Sequence, residues 1–195
     1  MDAATAPQAL PDFPLRANGP LASGFLALGS QTYRAAARHV RDLPYGRNSD
    51  RSDYQLVLRE GRGTCSTKHA LLAARAQEYG AAVELRLGVY LMDETNTPGV
   101  GRVLRGHDLD GLPEAHCYLA HHGRRIDLTG AQTGGPRRFL HEETIGPDGI
   151  GEYKIGAHRA FLRAWAEDRG QDAERLWRVR EECIAALSKQ EDKAP

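Results

Sequence analysis

The stretch that most restricts the fold runs from Glu114 to Thr129, two alternating segments closed on His122-Gly123. Ala115, Cys117 and Leu119 alternate with His116 and Tyr118, and Ile126 and Leu128 flank Asp127. Successive strand side chains point to opposite faces, so period-two runs around a tight turn predict a β-hairpin. A two-residue loop is centred on either His121-His122 or His122-Gly123. Glycine at the second loop position favours the latter, as a type I′ turn. In the first register His116 lies opposite Asp127; in the second His116 opposes Thr129 and Asp127 opposes Tyr118. Both registers put His116 and Asp127 on one face, with Cβ atoms about 4.5–5.5 Å apart if opposite and about 7–8 Å if diagonal. The apolar set fits the core. That makes Cys117 a core residue and leaves His116 and Asp127 on the other face.

A second stretch, Gly61 to Gly80, reads as a glycine-flanked turn running into a helix with Cys65 at the junction. Ala70, Leu71, Leu72, Ala73, Ala74 and Ala76 have high helix propensity. Thr64 suits the N-cap and Gly80 the C-cap. Cys65 then falls in the first turn, where unpaired N–H groups and the helix dipole stabilise a thiolate. A thiol of ordinary pKa about 8.5 can fall toward neutrality in such a place. A cysteine nucleophile also needs a histidine base and a group that orients it. His116 and Asp127 supply that pair.

The remaining elements follow from pattern. Pro7, Pro11, Pro14 and Pro20 sit among small and polar residues, so residues 1–20 are expected to be a poorly ordered arm. A helix is expected over about Leu26 to Leu43, with Tyr33, Ala36, Ala37 and Val40 as its apolar stripe and Pro44 as its stop. A polar loop follows, with a short helix from Asp53 through Leu58. Val83 to Met92 alternates as a strand, and Asp93 to Leu112 reads as a long loop. Gly130 to Gly156 is expected to be irregular. Two helices close the chain, at about Ala157 to Asp168 and Asp172 to Ser188. Helices first, antiparallel strands next and helices last predict an α+β domain over 21–190, rather than alternating βαβ units.

Composition narrows the partners. Lys+Arg and Asp+Glu each number 26, so the formal net charge is zero. No bulk electrostatic argument points to nucleic acid or an anionic membrane. No apolar run approaches the roughly 20 residues of a membrane span, and no basic-then-apolar leader opens the chain. Three cysteines without close spacing argue against a disulfide framework. The expectation is a soluble, cytoplasmic protein. Oligomeric state is left open.

Gly-Thr-Cys opening a helix, a strand containing Gly-Val-Tyr, Ala-His-Cys-Tyr-Leu on a strand and Ile-Asp-Leu-Thr on the next together resemble the transglutaminase-like superfamily of cysteine-dependent enzymes. The resemblance covers about Leu28 to Thr129, roughly half the chain. It implies a papain-like α+β fold, with a catalytic-type helix packed on an antiparallel sheet, and a Cys65, His116 and Asp127 triad. Tyr118 stands where many members have tryptophan. Ser-Thr-Lys-His after the cysteine replaces the more usual acidic-aromatic segment. Flanking β-domains of the tissue transglutaminase type are not expected in these 195 residues.

The function so implied is acyl transfer or hydrolysis at an amide or peptide bond through a thioester, on a peptide, protein or small amide substrate. No metal or organic cofactor is required. The Cys65 backbone N–H is a candidate oxyanion donor, and Tyr45 and Asn48 are candidates for the second. Two other readings compete. One is a non-catalytic binding or scaffold protein on the same fold. The other is a zinc site among His107, His116, Cys117, His121 and His122, a residue set that suits zinc but straddles a turn and alternates faces.

Overall fold

The computed structural model describes residues 3–17, 19–129 and 137–191. Helices α1 (Pro20–Ala27), α2 (Tyr33–Asp42), α3 (Leu56–Glu60) and α4 (Cys65–Tyr79) precede strand β1 (Glu84–Met92). Helix α5 (Gly101–Gly106) separates β1 from β2 (Leu112–His121). Then come β3 (Arg124–Ile126), β4 (Phe139–Ile145), α6 (Glu152–Glu167) and α7 (Ala173–Glu191). Short 3-10 segments occupy Ala3–Ala9 and Pro147–Ile150. The strands form a four-stranded antiparallel sheet in the order β3-β2-β1-β4, so the class is α+β. The chain divides into two compact units where the sequence predicts one domain. The first holds the described residues of 1–87, 117–131 and 143–152; the second holds those of 88–116, 132–142 and 153–195.

The first unit is built on α4. Residues 65–76 of this helix are all buried. A helix buried over this length is covered on every side, and the polar side chains it carries there, Ser66, Thr67, Lys68, His69 and Arg75, are enclosed with it. The α2 stripe, Tyr33, Ala36, Ala37 and Val40, is buried as its spacing predicts, and the Tyr33 hydroxyl donates to the Leu72 carbonyl at 3.0 Å. The single helix expected over Leu26 to Leu43 is broken in two. Gly29 takes a left-handed φ of 81°, and Thr32 restarts the helix as an N-cap, accepting from the Ala35 N–H. The stretch expected to be a loose arm is instead packed. Leu10, Phe13 and Leu15 are buried, and the Phe13 ring stacks on Tyr33 and Tyr79 with centroids 4.7 and 3.8 Å away. The prolines exclude regular ladders, but the apolar residues between them anchor the strap. Residues 1, 2 and 18 of that stretch lie outside the described residues.

The hairpin takes the second of the two registers. Leu119 pairs with Ile126, Ala120 with Arg125 and His121 with Arg124. His122 and Gly123 have φ of 48° and 72°, both positive, as a type I′ turn requires. Carried one step further, the register sets Asp127 level with Tyr118. The second strand stops at Ile126, short of the expected Thr129, for two local reasons. The Asp127 carboxylate accepts from the Thr129 N–H at 3.0 Å and from its hydroxyl, turning the backbone out of the ladder. The Leu128 N–H goes to a histidine ring instead of a strand. The division into core face and open face is also corrected: β2 is an inner strand, buried on both faces from Leu112 to Leu119, His116 included.

The second unit has its own core. Tyr90, Met92, Leu104 and Leu112 pack with Leu162 of α6 and Leu176, Val179 and Cys183 of α7. The loop expected from Asp93 to Leu112 contains α5. The irregular stretch expected over 130–156 contains β4 and the start of α6; residues 130–136 lie outside the described residues. Strand β4 escapes a period-two reading because it is an edge strand, with Leu140 and Thr144 exposed. Glycine at position 88 accommodates it, since a Cβ there would lie 2.4 Å from the Phe139 ring.

Candidate active site

Cys65 is the first residue of α4. Thr64 caps it through a reciprocal box: the Thr64 hydroxyl accepts from the Thr67 N–H at 3.5 Å, and the Thr67 hydroxyl accepts from the Thr64 N–H at 2.9 Å. Gly63 makes room for this cap. A Cβ there would meet Thr67 Oγ1 and Val57 Cγ2 at 2.9 Å and Lys68 Cγ at 3.0 Å. Helix geometry leaves the N–H of a first-turn residue without an intrahelical partner. The Cys65 side chain is 7% exposed, and its Sγ lies 3.9 Å from Ser66 Oγ.

The Ser-Thr-Lys-His segment behind Cys65 is fully enlisted. Lys68 is buried, and its Nζ donates to the carbonyls of Leu43 at 2.6 Å, Thr129 at 3.2 Å and Arg41 at 3.3 Å. An ammonium group has three donors. Each therefore meets a carbonyl, which lets the charge sit inside. His69 is also buried. Its Nδ1 lies 2.7 Å from the Cys65 carbonyl, and its Nε2 accepts from the Leu128 N–H at 2.7 Å. A carbonyl only accepts and an amide N–H only donates, so the ring is neutral with the proton on Nδ1. Asp127 Oδ1 stands 3.7 Å from His69 Nε2, a separation that is no ion pair with a neutral imidazole. Both nitrogens are committed to the backbone, so His69 is not the base of Cys65. It ties the start of α4 to the segment carrying Asp127.

Asn48, a candidate oxyanion donor, is engaged elsewhere. Its amide donates to Glu60 Oε2 and to the Arg62 carbonyl, both at 3.0 Å, and its Oδ1 accepts from the Thr67 hydroxyl at 2.8 Å. Both amide hydrogens are spent holding the loop against the α4 cap. Glu60 also accepts from Ser49, whose hydroxyl, followed by the Asn48 amide, holds the carboxyl below its usual range. The backbone of Tyr45 bridges to Gly63, two residues before Cys65, and its side chain is partly exposed.

His116 belongs to the second unit. Arg137 Nη1 donates to its Nε2 at 3.3 Å. Arginine only donates, so Nε2 carries the lone pair and the neutral ring has its proton on Nδ1. Tyr90 meets the imidazole edge-on, with centroids 6.3 Å apart. Two residues back on β2, Glu114 is 7% exposed and forms a bidentate pair with Arg180, both bonds at 2.7 Å. Burial would raise the Glu114 carboxyl, but the Arg180 guanidinium overrides it and holds it at about 2. His158 donates from Nε2 to the Pro113 carbonyl at 2.9 Å; burial holds its pKa below the usual histidine value against the pull of Glu114. Cys117 and Cys183 are buried, and burial followed by Glu114 pushes the Cys183 thiol up to about 11.

Cys65 and Asp127 thus share the first unit, linked through His69, while His116 lies in the second. Sequence reasoning missed Thr67, Lys68, His69 and Arg137. The signal for the first three is a run of polar side chains ahead of the alanine- and leucine-rich part of the helix; Arg137 has none. Among the described residues, no three histidine, cysteine or acidic side chains gather as metal ligands. No helix among them is long and apolar enough to cross a membrane. Comparison of the chain with family models, curated proteins and solved structures returned no match.

Proposed function

We propose that the chain is a cysteine-dependent enzyme of the transglutaminase-like kind, acting on amide or peptide bonds through a thioester. The observation that carries this is Cys65 at the first position of a capped helix, with Gly63 clearing the space that the cap needs. In the proposed reaction the Sγ–H proton passes to His116 and Sγ attacks the carbonyl carbon of the amide. The carbonyl electrons move to oxygen and the Cys65 backbone N–H steadies them. Collapse breaks the C–N bond, and the imidazolium returns the proton to the leaving amine. Water or another amine then resolves the thioester. Asp127 orients the imidazole and favours its charged form. Tyr45, beside Gly63, is retained as a second oxyanion donor; Asn48 is not, because both of its amide hydrogens are used. The substrate is a peptide, protein or small amide. A reducing, cytoplasmic setting suits a thiol nucleophile.

A specific observation favours the second reading, a binding or scaffold domain. Cys65 is nearly covered, and Arg137 occupies the His116 lone pair. The pH profile of Cys65 alkylation by iodoacetamide, in wild type and His116→Ala, decides between them. An acid-shifted wild-type profile that moves to higher pH in the variant is expected, because the imidazolium favours the thiolate. Coincident profiles refute the coupling. Peptide mapping of the same reaction should show Cys65 labelled ahead of Cys117 and Cys183.

A further inference from the structure

Arg75 lies ten residues beyond Cys65 on α4, about 15 Å away at 1.5 Å of rise per residue. Its side chain is fully buried. Nη1 donates to Glu78 Oε2 at 3.4 Å, and Cζ stands 5.6 Å from the centroid of the Phe13 ring. Nε and Nη2 are buried and have no hydrogen-bond partner among the described residues. These two nitrogens form one edge of the guanidinium. Their N–H bonds run parallel, the fork that takes both oxygens of a carboxylate. The chain shows that edge filled elsewhere: Arg180 donates from Nε and Nη2 to the two oxygens of Glu114, both at 2.7 Å. Glu78 does not turn to the matching edge of Arg75. Its carboxylate lies against Gly19, where a Cβ would meet Oε1 at 3.2 Å, and it reaches only Nη1. Charged donors buried without acceptors are costly to a fold, so a buried fork calls for an acceptor.

We propose that the Nε–Nη2 edge of Arg75 is a binding site for a small carboxylate, separate from Cys65. The two oxygens of the ligand take the two N–H donors, as Glu114 does on Arg180. Burial sets the size of the ligand. A fork fully enclosed beneath Phe13 admits a free monocarboxylate rather than an acidic side chain of another protein. The way in is the C-terminal end of α4, where Tyr79 is exposed and Glu78 partly so. The Glu78 bond is long, and this side chain swings toward solvent as the anion enters.

Acetate is the probe, titrated against chloride at constant ionic strength and pH 7, with urea unfolding followed by circular dichroism. A ligand that binds only the folded chain raises the midpoint by an equal step for each tenfold increase above its dissociation constant, roughly 0.5 M urea. Wild type should show that rise. Arg75→Met removes the fork and Arg75→Lys keeps a charge without it; both should lack the rise beyond the small general effect of the salt. In chloride alone Arg75→Met should unfold at a urea concentration no lower than wild type, because it discards buried donors that the fold leaves unmatched. A wild-type midpoint indifferent to acetate overturns the site, and that arm needs no variant. A rise of equal size in Arg75→Lys overturns the assignment to the fork. A lower midpoint for Arg75→Met in chloride also overturns it, since the guanidinium would then be satisfied within the fold. Failure of the proposed Cys65 chemistry leaves all of these outcomes untouched.

Discussion

The Glu114–Arg180 pair makes the stability of the second unit depend on pH with a defined sign. Glu114 falls from 4.5 in its ordinary state to about 2 in the fold. A carboxyl depressed by folding contributes stability that is present above its unfolded value and lost as pH falls toward its folded one. The window is therefore pH 4.5 down to about 2. Roughly two and a half pH units at 1.36 kcal/mol each give about 3 kcal/mol. The perturbation is Arg180→Met, which keeps the length of the stem and removes the fork. A carboxylate 7% exposed then loses its main counter-charge, at a cost of about 3–5 kcal/mol at neutral pH. The sign also inverts. With burial unopposed by Arg180, the Glu114 carboxyl rises above its unfolded value, and the variant recovers stability as acid protonates it. Urea unfolding followed by circular dichroism at pH 7, 5, 4 and 3 measures both proteins. Other carboxylates titrate in both and cancel in the difference. The gap should narrow steadily from pH 7 to pH 3. A constant gap refutes the view that Arg180 holds Glu114 ionised.

Two further substitutions test the wiring of the first unit. Lys68→Met removes three donors from the carbonyls of Arg41, Leu43 and Thr129; stability measured by urea unfolding should fall by about 3 kcal/mol or more, and a loss under 1 kcal/mol would show the ammonium to be dispensable. Gly63→Ala forces a methyl to within 3.0 Å of Val57, Thr67 and Lys68; it should cost about 1–3 kcal/mol, and a neutral result would mean that the cap yields without strain.

How far the sequence could be read depended on whether one local rule decided each element. The hairpin was legible because glycine at position 123 favours a turn whose residues both need positive φ, and this turn alone sets the register. Cys65 was legible because a cap, a helix and a C-terminal glycine agree. The end of β3 was not, because it depends on His69 taking the Leu128 N–H from a site far away in sequence. Ser-Thr-Lys-His looked like a departure from the family pattern for the same reason: Lys68 is held by backbone carbonyls 25 to 61 residues away and His69 by the Leu128 N–H, which no periodicity reports. The N-terminal strap was misread because prolines signal irregular backbone, and irregular backbone packs well when residues such as Phe13 find rings to stack on. One helix was expected across α1 and α2 although Gly29 and Ser30 interrupt the apolar stripe ahead of Tyr33.

The enclosure of α4 has a consequence for synthesis. The helix is complete at Tyr79, but one piece that covers it, the segment Pro147–Ile150, comes some seventy residues later. At about 5–20 residues per second, roughly 4–14 s pass before that segment is made. Throughout that interval the face of α4 that this segment covers is exposed, and the closing contact has a long sequence separation, which slows folding further. The nascent first unit is thus a client for whatever shields apolar helices near the ribosome. Substitutions that place a charge on the late-covered face of α4 would ease that wait while weakening the finished fold.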